Sequence, residues 1–428
     1  MMKISIASAP GKILWIGGYS VLERPNVSFV TGVNKRVYAR VETSKENKIV
    51  FDLPQFRLKL EGRIDNEKIV FDKQLSEQEA SVIKFVKIAT ETCIKYLKGK
   101  GKRIIGFKLT TISDPAFSVE GSKAGLGSSA AVTTATVGAI LQAYGFKIDK
   151  SRELIHKIAQ FAHSKAQGKV GSGFDVAAST YGGHSYVRYS PSIINDVSDD
   201  PTIEQVVSVI DKKWDYLVQQ LELPPKFVPV IGNFIGESAS TSAMVKQVNA
   251  FKEAQPEQYK QLMIELNGAN QLAIAALSEI NKLSKQNPEK YGLVLKVASK
   301  KRKSRLTEGL KNDIKVFNDF REAFDKGRLL TKKLGELSGA PIEPSEYSEL
   351  IEDTKKNGAF VAKLPGAGGG DAIAAICLSK RSKKKVEDFW RSYQKKKINP
   401  LNLSISNEGV RKENKKTFKK MINLISIQ

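Results

Sequence analysis

The chain has two cysteines, Cys93 and Cys377, and three histidines in 428 residues. Two cysteines so far apart make neither a disulfide framework nor a metal motif, and a reducing, cytoplasmic setting is the expectation. Without a His/Cys cluster, transition-metal catalysis lacks ligands. No apolar stretch approaches the roughly 20 residues of a membrane-spanning helix. The longest, Ala372 to Leu378, follows a glycine-rich turn as a core segment would. The opening Lys3, a few apolar residues and Ala7-Ser8-Ala9 imitate a signal peptide, but the apolar run is too short and reads as a strand. Also absent are an internal repeat, a low-complexity tract and the G-x-x-x-x-G-K-[ST] pattern, so a P-loop site is not expected.

Acidic residues are the scarce charge. Lys and Arg number 69 against 45 Asp and Glu, a net charge of +24, which attracts phosphate-bearing partners of any size. The densest basic runs, Lys300 to Arg305, Lys380 to Lys385, Lys395 to Lys397 and Arg411 to Lys420, carry almost no interleaved aromatics. They read as solvated faces, and neither nucleic acid nor a membrane is expected as a partner. With 41% apolar residues, a chain of this length buries a sizeable core and fits two domains better than one.

Alternation over Lys3 to Ile6 and Arg36 to Glu42 predicts strands. Apolar residues at helical spacing predict helices over Ser81 to Leu97, over Ala130 to Tyr144 with Gly145 as terminator, and over Arg152 to Gln167. A strand is expected over Ile104 to Ile112. The paired Pro224 and Pro225 mark the best boundary, giving domains 1–223 and 224–428. Beyond it, Leu310, Ile314, Phe317 and Phe324 predict a long helix, and Ala359 to Leu364 a strand opening into Pro365-Gly366-Ala367-Gly368-Gly369-Gly370-Asp371. Alternating strands mixed with amphipathic helices argue an α+β chain.

Gly125-Leu126-Gly127-Ser128-Ser129-Ala130 matches the dinucleotide pattern G-x-G-x-x-A by the letter. A dinucleotide unit wants those glycines directly after a strand, and here Ser113 to Lys123 intervene. Glycines that admit a ligand to the backbone, free N–H groups at a helix start and serine hydroxyls suit a triphosphate and its Mg²⁺ instead. A tight turn packed on a helix remains the plain alternative for this loop alone.

Three segments change that balance. Pro10-Gly11-Lys12-Ile13-Leu14, the 121–131 loop and Pro365 to Asp371 occur in the order and rough spacing of the three motifs of GHMP kinases, which the chain resembles. Gly168-Lys169-Val170-Gly171-Ser172-Gly173-Phe174-Asp175-Val176-Ala177-Ala178, Ser240 to Lys246 and Gly339 to Pro344 are similar to segments of the phosphomevalonate kinases in particular. The resemblance runs from about Ala9 to Leu378. It implies an N-terminal domain with a left-handed βαβ crossover, a C-terminal ferredoxin-like α/β plait, and substrates bound between them.

The implied activity is Mg²⁺- and ATP-dependent phosphorylation of 5-phosphomevalonate. Mevalonate kinase or a diphosphomevalonate decarboxylase is the alternative within the fold, and the Gly168 to Ala178 segment disfavours both. Lys12 is expected to offset charge on the transferring phosphoryl group and Asp175 to orient or deprotonate the acceptor. Lys123, Gly125, Leu126, Gly127, Ser128, Ser129 and Ala130 are expected to hold the triphosphate, with Ser129 the metal ligand. Both serines are also expected to cap the following helix. Tyr19, Lys169, Ser172, Gly173, Arg188, Ser238, Ser240, Thr241, Lys246, Gly366, Gly368 and Gly369 are the expected acceptor contacts. Gly17-Gly18-Tyr19 departs from the Gly-Glu-Tyr or Gly-Glu-His of many superfamily members. His163 falls near a glutamate that mevalonate kinases use for Mg²⁺ and is left unassigned. Monomer and homodimer stay open.

Overall fold

The computed structural model describes residues 3–119, 122–123, 125–169, 171–236, 239–300 and 308–426. The chain opens with β1 (Ile4–Ile16), β2 (Ser28–Thr43), β3 (Ile49–Leu53), β4 (Leu58–Asp65) and β5 (Lys68–Phe71), followed by α1 (Glu77–Gly99) and β6 (Phe107–Ser113). A small ribbon, β7 (Ser118–Val119) with β8 (Ser122–Lys123), precedes α2 (Ser128–Ala143), α3 (Arg152–Ala166), α4 (Phe174–Tyr181), β9 (His184–Val187), α5 (Ser192–Asn195), α6 (Ile203–Asp211) and β10 (Leu217–Gln220). The strands lie in the order β10-β9-β2-β6-β3-β4-β5, with β1 along the other edge of β2.

Alternation sorts the two faces of this sheet. Ala7, Ala9, Ala39, Val41 and Leu109 face α1, α2 and α3 in one core, whereas Ile6, Tyr38 and Ile112 face the opposite way. Small side chains on β1 let α2 pack closely: a Cβ on Gly138 would lie 3.3 Å from the Ala7 Cβ.

The second half supplies β11 (Val228–Phe234), the helices α7 (Thr241–Ala254), α8 (Pro256–Gln286), α9 (Pro288–Lys300), α10 (Glu308–Ser338) and α11 (Ser345–Lys356), then β12 (Val361–Lys363), β13 (Ala372–Cys377), α12 (Lys380–Ser392) and β14 (Ile398–Pro400). Its sheet is antiparallel in the order β12-β13-β11-β14. Numbered within the sheet this is 4-1-3-2, the ferredoxin-like plait, with α7 to α10 inserted after the first strand. Two sheets flanked by helices make the chain α+β.

The tail crosses back. β15 (Ile405–Ser406) pairs with β2, β16 (Arg411–Lys412) pairs with β1, and α13 (Lys415–Ser426) lays Phe418 and Met421 over Ile6, Tyr38 and Ile112. Buried Arg36 fastens this return, donating from Nε to Ser8 Oγ at 2.7 Å and from its other nitrogens to the Glu408 and Gly409 carbonyls. The 223/224 position falls between β10 and β11, and because β15 and β16 belong to the first sheet, residues 224–428 contribute strands to both sheets.

The halves share a core in which Trp15 and Phe29 meet Ala273, Leu277, Phe317 and Phe320. Lys363, on β12, is buried at this junction and donates to the Trp15 carbonyl at 3.4 Å. Burial pulls its ammonium down from 10.5 to about 8, against the opposing effect of Glu343. Between those values the unfolded chain binds more protons than the folded one, so this group makes stability rise with pH. The wild type minus Lys363→Met difference in unfolding free energy should climb between pH 8 and pH 10.5, by up to about 1.4 kcal/mol per pH unit. A difference that is flat across that range in denaturant titrations contradicts the buried placement.

Candidate active site

Lys12 lies within the continuous strand β1, at a register shift whose extra residues belong to the facing strand β2. Pro10 pairs with Arg36 and Lys12 with Gly32, with a register shift between them. Proline contributes no N–H to the ladder, and glycine admits close backbone approach. A Cβ on Gly11 would sit 2.8 Å from the Leu126 carbonyl oxygen. Lys12 meets the 125–127 loop directly: its backbone N–H donates to Leu126 O and its Nζ to Gly125 O, each at 2.9 Å. The ammonium also lies 5.5 Å from the centre of the Phe174 ring. Burial pushes it below the usual lysine range, while Asp175 and Asp371 act to keep it charged.

Gly125 and Gly127 take left-handed conformations, φ 66° and 75°. Gly127 occupies the cap position of α2, so the two serines expected to cap the helix fall inside it, and no side chain caps the first turn. N–H groups at an uncapped helix start are donors for an anion. Ser129 Oγ is 3.1 Å from His163 Nε2, which is 3.8 Å from Asp175 Oδ2. Burial holds the His163 imidazole below the usual histidine range, against the pull of Asp175, so it is neutral near pH 7. Asp175 sits in the first turn of α4 rather than in the loop before it, and its Oδ1 accepts from Val176 N at 2.9 Å.

That aspartate is placed by a residue the sequence did not single out. Gln160, buried on α3, donates from Nε2 to Gly173 O at 2.7 Å. Gly173 caps α4 at φ 78°, and a Cβ there would lie 2.3 Å from Gln160 Oε1. β1, α2, α3 and α4 thus bring Lys12, Ser129, His163 and Asp175 to one point.

The third loop closes the other side. Gly366, Gly368, Gly369 and Gly370 all have positive φ, 68° to 96°. Gly369 N donates to Ile342 O at 3.1 Å, and Gly369 O accepts from Ala239 N at 2.9 Å. Tyr19 OH donates to Ala367 O at 3.1 Å, tying the Gly17-Gly18-Tyr19 turn to the same loop. The separate segments at 17–19, 239–246, 339–344 and 365–371 therefore meet. Ser240 caps α7, and Thr241 and Lys246 are exposed on that helix. Asp371, absent from the expected contacts, acts on Lys12; its position directly after the glycines was the available signal.

Other expected contacts are placed differently. Lys169 donates to Val197 O at 2.7 Å and pairs with Asp199 at 2.9 Å, so its charge is already engaged. Arg188 is buried and donates to Leu22 O and, at 3.2 Å, to Gly171 O, bracing the loop before Asp175. Ser172 is buried, and its carbonyl accepts from Tyr186 OH at 3.1 Å. Ser238 and the Lys123 side chain lie outside the described residues.

The sequence pattern of the GHMP kinases N terminal domain matches residues 85–183, and that of the GHMP kinases C terminal matches 314–396. A peroxisomal phosphomevalonate kinase of Arabidopsis thaliana is 30% identical over 91% of this chain and 92% of its own. A phosphomevalonate kinase of Gibberella zeae is 29% identical over 95% and 96%. Among solved structures, the Streptococcus pneumoniae phosphomevalonate kinase in complex with phosphomevalonate and AMPPNP shares the fold, with a TM-score of 0.68 and 18% identity over 94% of this chain and 99% of that one.

Gly127→Ala tests the geometry around Lys12. The added Cβ is strained at this φ and lies 2.9 Å from Lys12 Cε, and displacing a catalytic group by an ångström costs about 10²-fold. Turnover should fall on that scale in a variant that still folds, its thermal unfolding midpoint lowered by only a few degrees; unaltered turnover would contradict the placement.

Proposed function

The chain belongs to the GHMP kinase family, and we propose on that premise that it transfers the terminal phosphoryl group of ATP to the phosphate of (R)-5-phosphomevalonate, giving (R)-5-diphosphomevalonate and ADP. The observation that carries the reading is the half-buried Lys12 ammonium, fixed by the Gly125 carbonyl beside both the uncapped start of α2 and the Asp175 carboxylate. A cation there faces the point where a phosphoryl group would pass from a triphosphate on the α2 loop to an acceptor between that loop and the third loop.

In this reading an acceptor phosphate oxygen forms the new P–O bond as the bond from the γ-phosphorus to the β,γ-bridging oxygen breaks, and ADP leaves with that oxygen. Charge spreads over the transferring group, and Lys12, partly desolvated and held by the Gly125 carbonyl, stabilises it with little reorganisation. The N–H groups at the start of α2 bind the phosphates and orient them. Asp175 orients the acceptor rather than abstracting a proton, because a phosphate monoester with a second pKa of about 6 is already ionised near pH 7. Arg188 and Gln160 act through the loop they hold.

The Ser129 hydroxyl, at the start of α2 and 3.1 Å from neutral His163, is an oxygen donor suited to a hard cation. With the ATP phosphates and water it would hold Mg²⁺, which supplies charge neutralisation to those phosphates when bound. Both cysteines are free and buried, which fits the proposed reducing, cytoplasmic setting. No helix among the described residues is long and apolar enough to cross a membrane.

Incubation with ATP and Mg²⁺ beside mevalonate, 5-phosphomevalonate or 5-diphosphomevalonate, read as ADP formation and product mass, tests the acceptor. Only 5-phosphomevalonate should be converted, with a gain of one phosphoryl group; turnover of mevalonate, or CO₂ release from the diphosphate, would keep the fold and refute the acceptor. Asp175→Asn should lower kcat by less than the roughly 10⁴-fold ceiling of general-base catalysis. A larger loss with both substrates still bound would return proton abstraction to the mechanism.

A further inference from the structure

Away from the Lys12 site, a cavity of about 440 Å³ opens between β5, α1, the end of α3 and the 199–201 segment. Four lysines line it: Lys68, Lys95, Lys165 and Lys169. The acids present are already taken. Asp200 pairs with Lys68 at 2.6 Å and Lys95 at 3.3 Å, and Asp199 pairs with Lys169 at 2.9 Å. Glu91 pairs with Lys87 at 3.2 Å and accepts from Ile69 N at 2.9 Å.

Lys165 is left over. Among the described residues it has no carboxylate or carbonyl partner, and its Nζ lies 5.8 Å from the centre of the Phe161 ring. Burial, and then the charges of Lys95 and Lys169, push it below the usual lysine range, more than Asp200 and Glu91 restore. The lining thus carries four lysines against three carboxylates, an excess of one cation that falls on Lys165.

Two further features suit an incoming ligand. Lys95 is fixed in place, 10% exposed and donating to Pro201 O at 2.6 Å. The two aspartates are 96% and 63% exposed, so their pairs are weak and can open to water at little cost. An entering polyanion would exchange loosely held carboxylates for its own oxygens. The volume lies within the range of small-molecule pockets and exceeds what a single phosphate fills. Ile88 and Val206 give it an apolar wall.

The geometry points to a binding site in this cavity for a diphosphate group, carried by a small molecule and held by Lys165, Lys95 and Lys68, separate from the site of phosphoryl transfer. The assignment does not depend on the identity of the phosphoryl acceptor.

Pyrophosphate is the probe. Calorimetric titration of the full chain, in the presence of saturating Mg–AMPPNP and 5-phosphomevalonate, should show a pyrophosphate site that Lys165→Glu weakens at least about tenfold, the loss expected for a charge-assisted contact replaced by repulsion. Lys68→Ala, at an exposed position, should weaken the same site by a smaller factor. The KM for ATP measured without pyrophosphate should stay near the wild-type value in both variants, which also shows that they fold. Equal pyrophosphate affinity in wild type and Lys165→Glu would overturn the proposal. Displacement of the Lys165-dependent binding by Mg–AMPPNP would overturn it as well, by making the cavity part of the nucleotide site.

Discussion

A lysine ammonium withdrawn from water is costly unless charges or dipoles answer it, and the construction around Lys12 follows from that constraint. The Gly125 carbonyl accepts one of its protons, Phe174 offers a ring face, and Asp175 at the start of α4 and Asp371 in the third loop supply opposite charge. The partners come from three segments, the 125–127 loop, the start of α4 and the third loop, so the full set is present only when both halves of the chain are assembled. The same withdrawal from water makes the cation effective toward phosphate, because its interactions are not screened and the site need not rearrange during transfer.

Backbone conformation makes this possible. Gly127 has no Cβ to collide with the lysine stem, Gly173 has none to collide with Gln160, and Gly368 has none to collide with the Ile342 carbonyl. All three hold positive φ, which other residues adopt only with strain. The scaffold beneath is correspondingly rigid: the tail returns to β1 and β2 through Arg36, while Lys363 and the Trp15 core join the sheets. Residues far from the chemistry thereby fix the distance between the phosphate loop and the acceptor loop.

Much of this was legible in the sequence because local patterns dictate local structure. The helices at α1, α2, α3 and α10 and the strands flanking the third loop follow from periodicity and glycine placement, and the chemistry of the three motifs followed from their resemblance to those of GHMP kinases. The plait and the pairing of the two sheets were legible only through resemblance, since register between distant strands has no local signature. What stayed hidden depends on tertiary neighbours. Lys169 reads as a phosphate ligand until Asp199, thirty positions on, is seen beside it. Gln160 and Asp371 matter only through groups brought to them by folding. The serines of α2 read as caps because serine favours that position, and the left-handed Gly127 took it instead.

The account depends most on Lys12 acting in the transfer step rather than in substrate capture. The decisive measurement is kcat for Lys12→Met together with the dissociation constants for Mg–AMPPNP and the acceptor. Loss of a preorganised charge on the transferring group predicts a fall in kcat of at least about 10²-fold, with both substrates still bound at near wild-type affinity. A variant that turns over within tenfold of wild type, or that loses binding in proportion to turnover, would contradict it.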